Sequence, residues 1–275
     1  MRRLLAVVGV MLPLASGCGR DATLDAPTIG QWIWTSRDSA LLQASRRTRP
    51  DIRAGVWVAT LSRRGDSLVT ALGRPIDADA GPDAEAVIRI DDSFSAWWGT
   101  VPSDTLAEWV ARRIATLLPL IDRPSAVGAP ARAIQLDYDA PVFRLADYAR
   151  LVAHLRASRD GVLRQRPFWV TSLVAHLSDP GYGARFRPWV DGHIVQLFET
   201  GERHDARAER QLLERLERAG LPFRLGLASF ERRLATGPTT HRAWFDVIPT
   251  ASRSTWYRGL WIFPAGASYL QYLHR

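Results

Sequence analysis

Apolar residues in this 275-residue chain gather into eight short runs, separated by longer stretches in which they recur every three or four positions. The runs are QWIWT from Gln31, AGVWVATL from Ala54, AVIRIDD from Ala86, AIQLDYD from Ala133, PFWVTSL from Pro167, HIVQLFE from His193, FRLGLASF from Phe223 and GLWIFPAG from Gly259. Their shortness and their Val, Ile, Trp and Phe content predict strands. Three intervening stretches predict helices. In SDTLAEWVARRIATLLPLI, residues Leu106, Trp109, Val110, Ile114 and Leu117 share one helical face, with Ser103 or Asp104 as the N-cap. In LADYARLVAHLRAS the face is Leu145, Tyr148, Leu151, Val152 and Leu155. A third helix runs from Asp205 to Gly220, a glycine stop with Pro222 just beyond it.

Strands alternating with helices imply a parallel sheet covered by helices. Eight strands in a chain of this length predict an α/β fold, a single (β/α)8 TIM-type barrel over residues 30–275. The competing arrangement is an open, doubly wound sheet. Two crossovers break the pattern. The second, SLVTALGRPIDADAGPD from Ser67, predicts a hairpin or loop; the seventh, from Thr236 to Gly259, has two prolines and little helical periodicity.

Side chains of a strand alternate between its faces. In AIQLDYDAP, residues Ile134, Leu136 and Tyr138 share one face, and Gln135, Asp137 and Asp139 the other. In a barrel the polar set lines the interior and rises to the C-terminal mouth, where this architecture keeps its active sites. AVIRIDD repeats the pattern with Arg89 and Asp91, so neighbouring strands bring Arg89 towards Asp137. Asp137 then reads either as half of an ion pair or as a catalytic carboxylate. Asp139, nearer the open end, is the stronger catalytic candidate. Glycosidic hydrolysis uses two carboxyl groups. Glu199, closing HIVQLFE, is the first expected partner, with Asp91, Asp92 and Glu231 behind it. Gln196 is either a hydrogen-bonding group for a sugar hydroxyl or the filling of a polar barrel layer.

The chain holds 11 tryptophans, and an indole offers a sugar ring an apolar face with a polar edge. Trp32, Trp34, Trp57, Trp169 and Trp261 lie inside the runs and predict core. Trp97, Trp98, Trp244 and Trp256 lie outside them and are candidate sugar platforms, or caps beneath long loops. His176, just past the fifth run, is a candidate polar group of the site. The 6 histidines never fall at close metal-ligand spacing. GYGARF lacks the third glycine and preceding strand of a dinucleotide site, and neither a G-x-S-x-G elbow nor a P-loop occurs. No metal and no cofactor is expected. All basic side chains are arginine, and the net charge is +8. Interleaved with acids, as in HDARAERQLLERLERAG, they predict solvated helix faces compatible with anionic lipid or polysaccharide, and no nucleic-acid partner.

Two resemblances add to this reading. Arg2 and Arg3, the apolar Leu4 to Leu14 and LASGC ending at Cys18 resemble a bacterial lipoprotein signal. The likeness implies a signal peptide over 1–17, lipid on Cys18, a tether over 18–29 and, with Gly19 after the cysteine, the periplasmic face of the outer membrane. An ordinary signal peptide with an incidental cysteine is the alternative. The second resemblance starts from the apolar strand ending in Asp137-Tyr138-Asp139, which is similar to the fourth strand of chitinase-like glycosidases. There a longer run of acids ends in the catalytic glutamate; here that place is Pro141. IQLDYDAP, VQLF, RLGLASF and RGLWIFPAG together resemble a bacterial family of envelope proteins, a domain of unknown function. That likeness implies a glycosidase-like barrel without assigning an activity. The expectation is an envelope-anchored barrel acting on or binding a carbohydrate, Asp139 being the central acid. Against it stands a non-catalytic glycan-binding or structural lipoprotein.

Overall fold

The computed structural model describes residues 26–122, 130–157, 163, 166–198, 204–229, 231–234, 237–264 and 269–273. Cys18, with its signal and most of its tether, and Glu199 lie outside them. The strands are β1 (Thr28–Ile33), β2 (Arg53–Arg64), β3 (Ser67–Leu72), β4 (Glu85–Ile90), β5 (Ala133–Tyr138), β6 (Phe168–Leu173), β7 (Gly192–Gln196), β8 (Phe223–Ala228), β9 (Glu231–Leu234), β10 (Gly237–Thr240) and β11 (Tyr257–Phe263). Eight of them pair in parallel in the order β1–β2–β4–β5–β6–β7–β8–β11, and β11 returns to β1. The sheet is a closed barrel, not an open one. Each apolar run supplies one barrel strand. β1 begins at Thr28, two residues inside the expected tether.

The helices are α1 (Ser36–Arg46), α2 (Ser103–Ile121), α3 (Leu145–Ala157), α4 (Tyr182–Phe186), α5 (Ala206–Ala219) and α6 (Ile248–Ala251). Helix α5 follows the sequence signals closely. Asp205 caps its first turn by accepting from the backbone of Arg207 and Ala208, and Gly220 ends it at φ 54. Helix α2 departs from expectation at its start. Its N-cap is Pro102 without a side-chain cap, because the Ser103 hydroxyl instead donates to Asp147 Oδ1 of α3 at 2.8 Å. The two irregular crossovers are real. β2 turns back through antiparallel β3 before β4, and a β9–β10 hairpin with 3-10 turns precedes α6 and β11.

Outer-face residues such as Ile134, Leu136 and Tyr138 join the helices in the main core. The barrel interior is a separate cluster built on Trp32, Val87, Ala133, Trp169, Ile194 and Trp261. One buried polar network crosses it. Trp32 Nε1 donates to Gln135 Oε1 at 2.8 Å, and Gln135 Nε2 donates to Glu85 Oε2 at 2.8 Å. Arg224 Nη1 donates to both Glu85 oxygens, at 3.1 and 2.9 Å, and its guanidinium carbon lies 3.7 Å from the Trp169 ring centroid. Trp261 fills the remaining space because Gly30 and Gly55 face it: a Cβ on either would sit 2.5 Å from the indole.

Candidate functional site

Alternation along the strands decides what reaches the mouth. Above Trp32, the inner-face positions at the C-terminal ends of β4, β5 and β7 are Arg89, Asp137 and Gln196. Asp139 follows directly on β5. These four polar groups share a cavity of about 150 Å³ with Val87 and an aromatic wall of Trp32, Trp34, Phe198 and Phe263. The wall is interlocked. Trp32 meets Phe198 edge-on at 6.2 Å, and Trp34 stacks on Trp57 at 5.4 Å. Phe198 and Phe263 lie 5.9 Å apart. Asp137, Asp139 and Gln196 thus line one pocket, while Trp32 and Trp34, expected as core, are also walls of the site.

Asp137 sits at the base of this group, 8 % exposed. Its Oδ1 accepts from Thr171 Oγ1 at 3.0 Å and from Gln196 Nε2 at 3.2 Å. Thr171 is itself oriented, since its Oγ1 accepts the backbone N–H of Tyr138 at 3.0 Å. Arg89, its register partner, approaches Oδ2 only to 4.0 Å. Burial pushes the Asp137 carboxyl above its ordinary value; Arg89, Thr171 and Gln196 pull the other way without cancelling it. The group therefore favours its protonated form more than a solvated aspartate does.

Asp137→Asn is expected to keep or raise the melting temperature at pH 7. A carboxyl whose folded pKa is raised makes the fold less stable as pH climbs from the ordinary value of 3.8 through the raised one. Asparagine removes that cost, and its Oδ1 still accepts from Thr171 and Gln196. Arg89 is not stranded by the change, because its side chain is 38 % exposed and lies 5.6 Å over Trp34. A loss above about 1 kcal/mol in a urea melt would instead make the Arg89 contact a structural pair.

Several sequence candidates lie elsewhere. Asp91 is the N-cap of the 3-10 turn Asp92–Trp97 rather than a pocket acid. It accepts from Ser62 Oγ, Ser93 Oγ and, at 2.9 Å, Ser93 N. Burial raises its pKa, but these hydrogen bonds outweigh burial and leave it below the ordinary value. That turn also rolls Trp97 and Trp98 inward, to 2 % and 5 % exposure, so neither is a platform. Trp98 Nε1 donates to Tyr138 Oη at 2.6 Å, tying the turn to the outer face of β5. Trp244 is buried edge-on against His204, at 4.9 Å. Trp256 belongs to the opposite end of the barrel, where its carbonyl accepts from Phe223 N at the start of β8. The backbone of Glu231 opens β9, paired with β10.

His176 is not a substrate group either. It is fully buried; its Nε2 lies 2.7 Å from the Ala140 carbonyl oxygen and its Nδ1 3.2 Å from Leu173 N. A carbonyl only accepts and an N–H only donates, so the ring is neutral with its proton on Nε2. Burial holds its pKa below the ordinary value, against the opposing pull of the Ala140 bond. Its role is to clamp the residue after Asp139 to the end of β6. Among the described residues no cluster of His, Cys, Asp and Glu converges as metal ligands would.

Solved structures share this architecture. The spore cortex-lytic enzyme SleL of Bacillus megaterium superposes with a TM-score of 0.59 at 12% identity, covering 90% of this chain and 73% of that one. The likeness is one of fold. A family 18 chitinase from Crocus vernus gives a TM-score of 0.53 at 9% identity over 89% and 95% of the two chains. The xylanase-α-amylase inhibitor protein XAIP-I, solved with trehalose, gives 0.54 at 13% identity over 86% and 93%. No protein-family model and no curated protein matches the sequence, so the expected likeness to an envelope family is not shown by them.

Proposed function

We propose that this chain binds a carbohydrate in the barrel mouth and hydrolyses it in the manner of a glycoside hydrolase, with Asp139 as the central acid. The observation that carries the reading is the joint lining of one pocket by two carboxyls, an amide, a guanidinium and an aromatic wall. Hydrolysis needs one carboxyl to protonate the leaving oxygen and a second to support the attack at carbon. Asp139 is nearer the open end, and Asp137 behind it favours its proton. The chitinase and the cortex-lytic enzyme among the structural neighbours add support from fold alone.

The test is release of reducing ends from chitin oligosaccharides, xylan and purified cell-wall glycan by the full chain, with binding measured in parallel. Turnover supports the proposal. Binding without turnover on every substrate supports the second reading, a non-catalytic glycan-binding barrel. Pro141, standing where the resembling glycosidases carry their glutamate, favours that reading. Absence of both overturns the two together.

Anchoring to the envelope through Cys18 belongs to the same proposal. Wild-type protein is expected to incorporate labelled fatty acid and sediment with membranes, and Cys18→Ser to do neither. Equal partitioning of the two would refute lipidation.

A further inference from the structure

Exposed apolar side chains scattered singly are ordinary. Two in this structure are not scattered. Val142 is 47% exposed and Phe143 is 81% exposed, side by side on the loop that leaves β5 straight after Asp139. Four residues of chain keep Phe143 within about 14 Å of Asp139 even fully extended, and the loop is coiled into a 3-10 turn, Val142–Arg144, headed by Pro141.

This loop is braced at both ends. His176 holds the Ala140 carbonyl at 2.7 Å. Arg144 donates to the Trp98 carbonyl at 3.1 Å and to Asp147 Oδ2 at 3.2 Å. Its guanidinium passes Gly99, where a Cβ would lie 2.8 Å from Nη2 and where φ is +87. The same guanidinium backs the Phe143 ring, its carbon 5.5 Å from the centroid. The anchors that fix the turn belong to Arg144 and Ala140, and they hold out in water an aromatic ring that the fold itself does not bury.

We propose that Phe143, on the loop that follows Asp139, is a sugar-stacking platform outside the mouth pocket, and that the ligand is an oligosaccharide longer than the pocket holds. The inference rests on the glycan reading of the pocket. A flat, exposed aromatic ring matches the C–H face of a pyranose. Two side chains fall far short of the roughly 800 Å² per partner of a stable protein interface, which disfavours a second copy of the chain as occupant.

The experiment measures binding of the full chain and of its Phe143→Ala variant to an array of mono- to hexasaccharides of N-acetylglucosamine, glucose and xylose. Affinity of the wild type should rise with length beyond the first one or two units. In Phe143→Ala that rise should flatten, lowering affinity for the longer members by about three- to tenfold and sparing the shortest. Phe143→Tyr should restore it. Thermal melts should coincide, because the ring packs on no core. Length-dependent binding unchanged by Phe143→Ala overturns the platform and leaves the pocket reading standing. No binding to any series overturns both. A concentration-dependent dimer lost in Phe143→Ala would assign the ring to self-association and overturn the proposal.

Discussion

Glu85→Ala is expected to cost about 3–5 kcal/mol of folding stability, the range for removing one partner of a buried ion pair. Glu85 is 1% exposed, and its carboxylate is the acceptor on which Gln135 and Arg224 both close. Without it the Arg224 guanidinium, 5% exposed, stays charged inside the barrel with Trp169 at 3.7 Å and Trp261 at 5.6 Å as its neighbours. A desolvated cation–π contact supplies about 2 kcal/mol, too little to replace a carboxylate. Gln135 loses its acceptor as well, and with it the fixed orientation that serves Trp32 under the pocket. Urea denaturation followed by tryptophan fluorescence reads the effect. The double variant Glu85→Leu with Arg224→Met should recover most of the loss, since an apolar pair of similar volume needs no partner. A single-variant loss below about 1 kcal/mol would mean that water already reaches the pair.

Asp139→Asn is expected to lower glycan turnover by about 10²–10⁴-fold, the usual contribution of a positioned acid or base, while binding to the same glycan changes little. Asp139 lies past the last residue of β5, partly exposed, and a thermal melt of the variant run alongside separates lost chemistry from lost fold. Reducing-end release and calorimetric binding on one preparation check both halves. Undiminished turnover would move the chemistry to another carboxyl and end the role given to Asp139.

Much of the barrel was legible because its strands are short apolar runs cut off by turns, and the face alternation of β5 correctly placed Gln135, Asp137 and Asp139 inside. Arg89 beside Asp137 followed from the same parity. What parity cannot say is whether an apolar inner residue is packed or merely lines a wall; Trp32 and Trp34 therefore read as core. The loop aromatics failed for a local reason. The 3-10 turn after β4 reverses the chain within a few residues, turning Trp97 and Trp98 into the core and leaving Asp91 as a cap. His176 sits in a similar turn after β6. The Glu85–Arg224 pair joins residues 139 positions apart, and nothing in the surroundings of either marks it. Nothing in the sequence sets Phe143 apart from other loop residues; its exposure and the brace beneath it belong to the folded loop.

Trp261 against Gly30 and Gly55, above the Glu85–Arg224 pair, makes the barrel a blind well. Traffic through it has one direction in and the same direction out. On the glycan-hydrolase proposal, a sugar end lodged against Trp32 would have to back out past Asp139 before another entered, so a released product that still fitted the well would compete with its own precursor. Ligands that lie across the rim escape that queue, whereas those that plunge into it wait their turn.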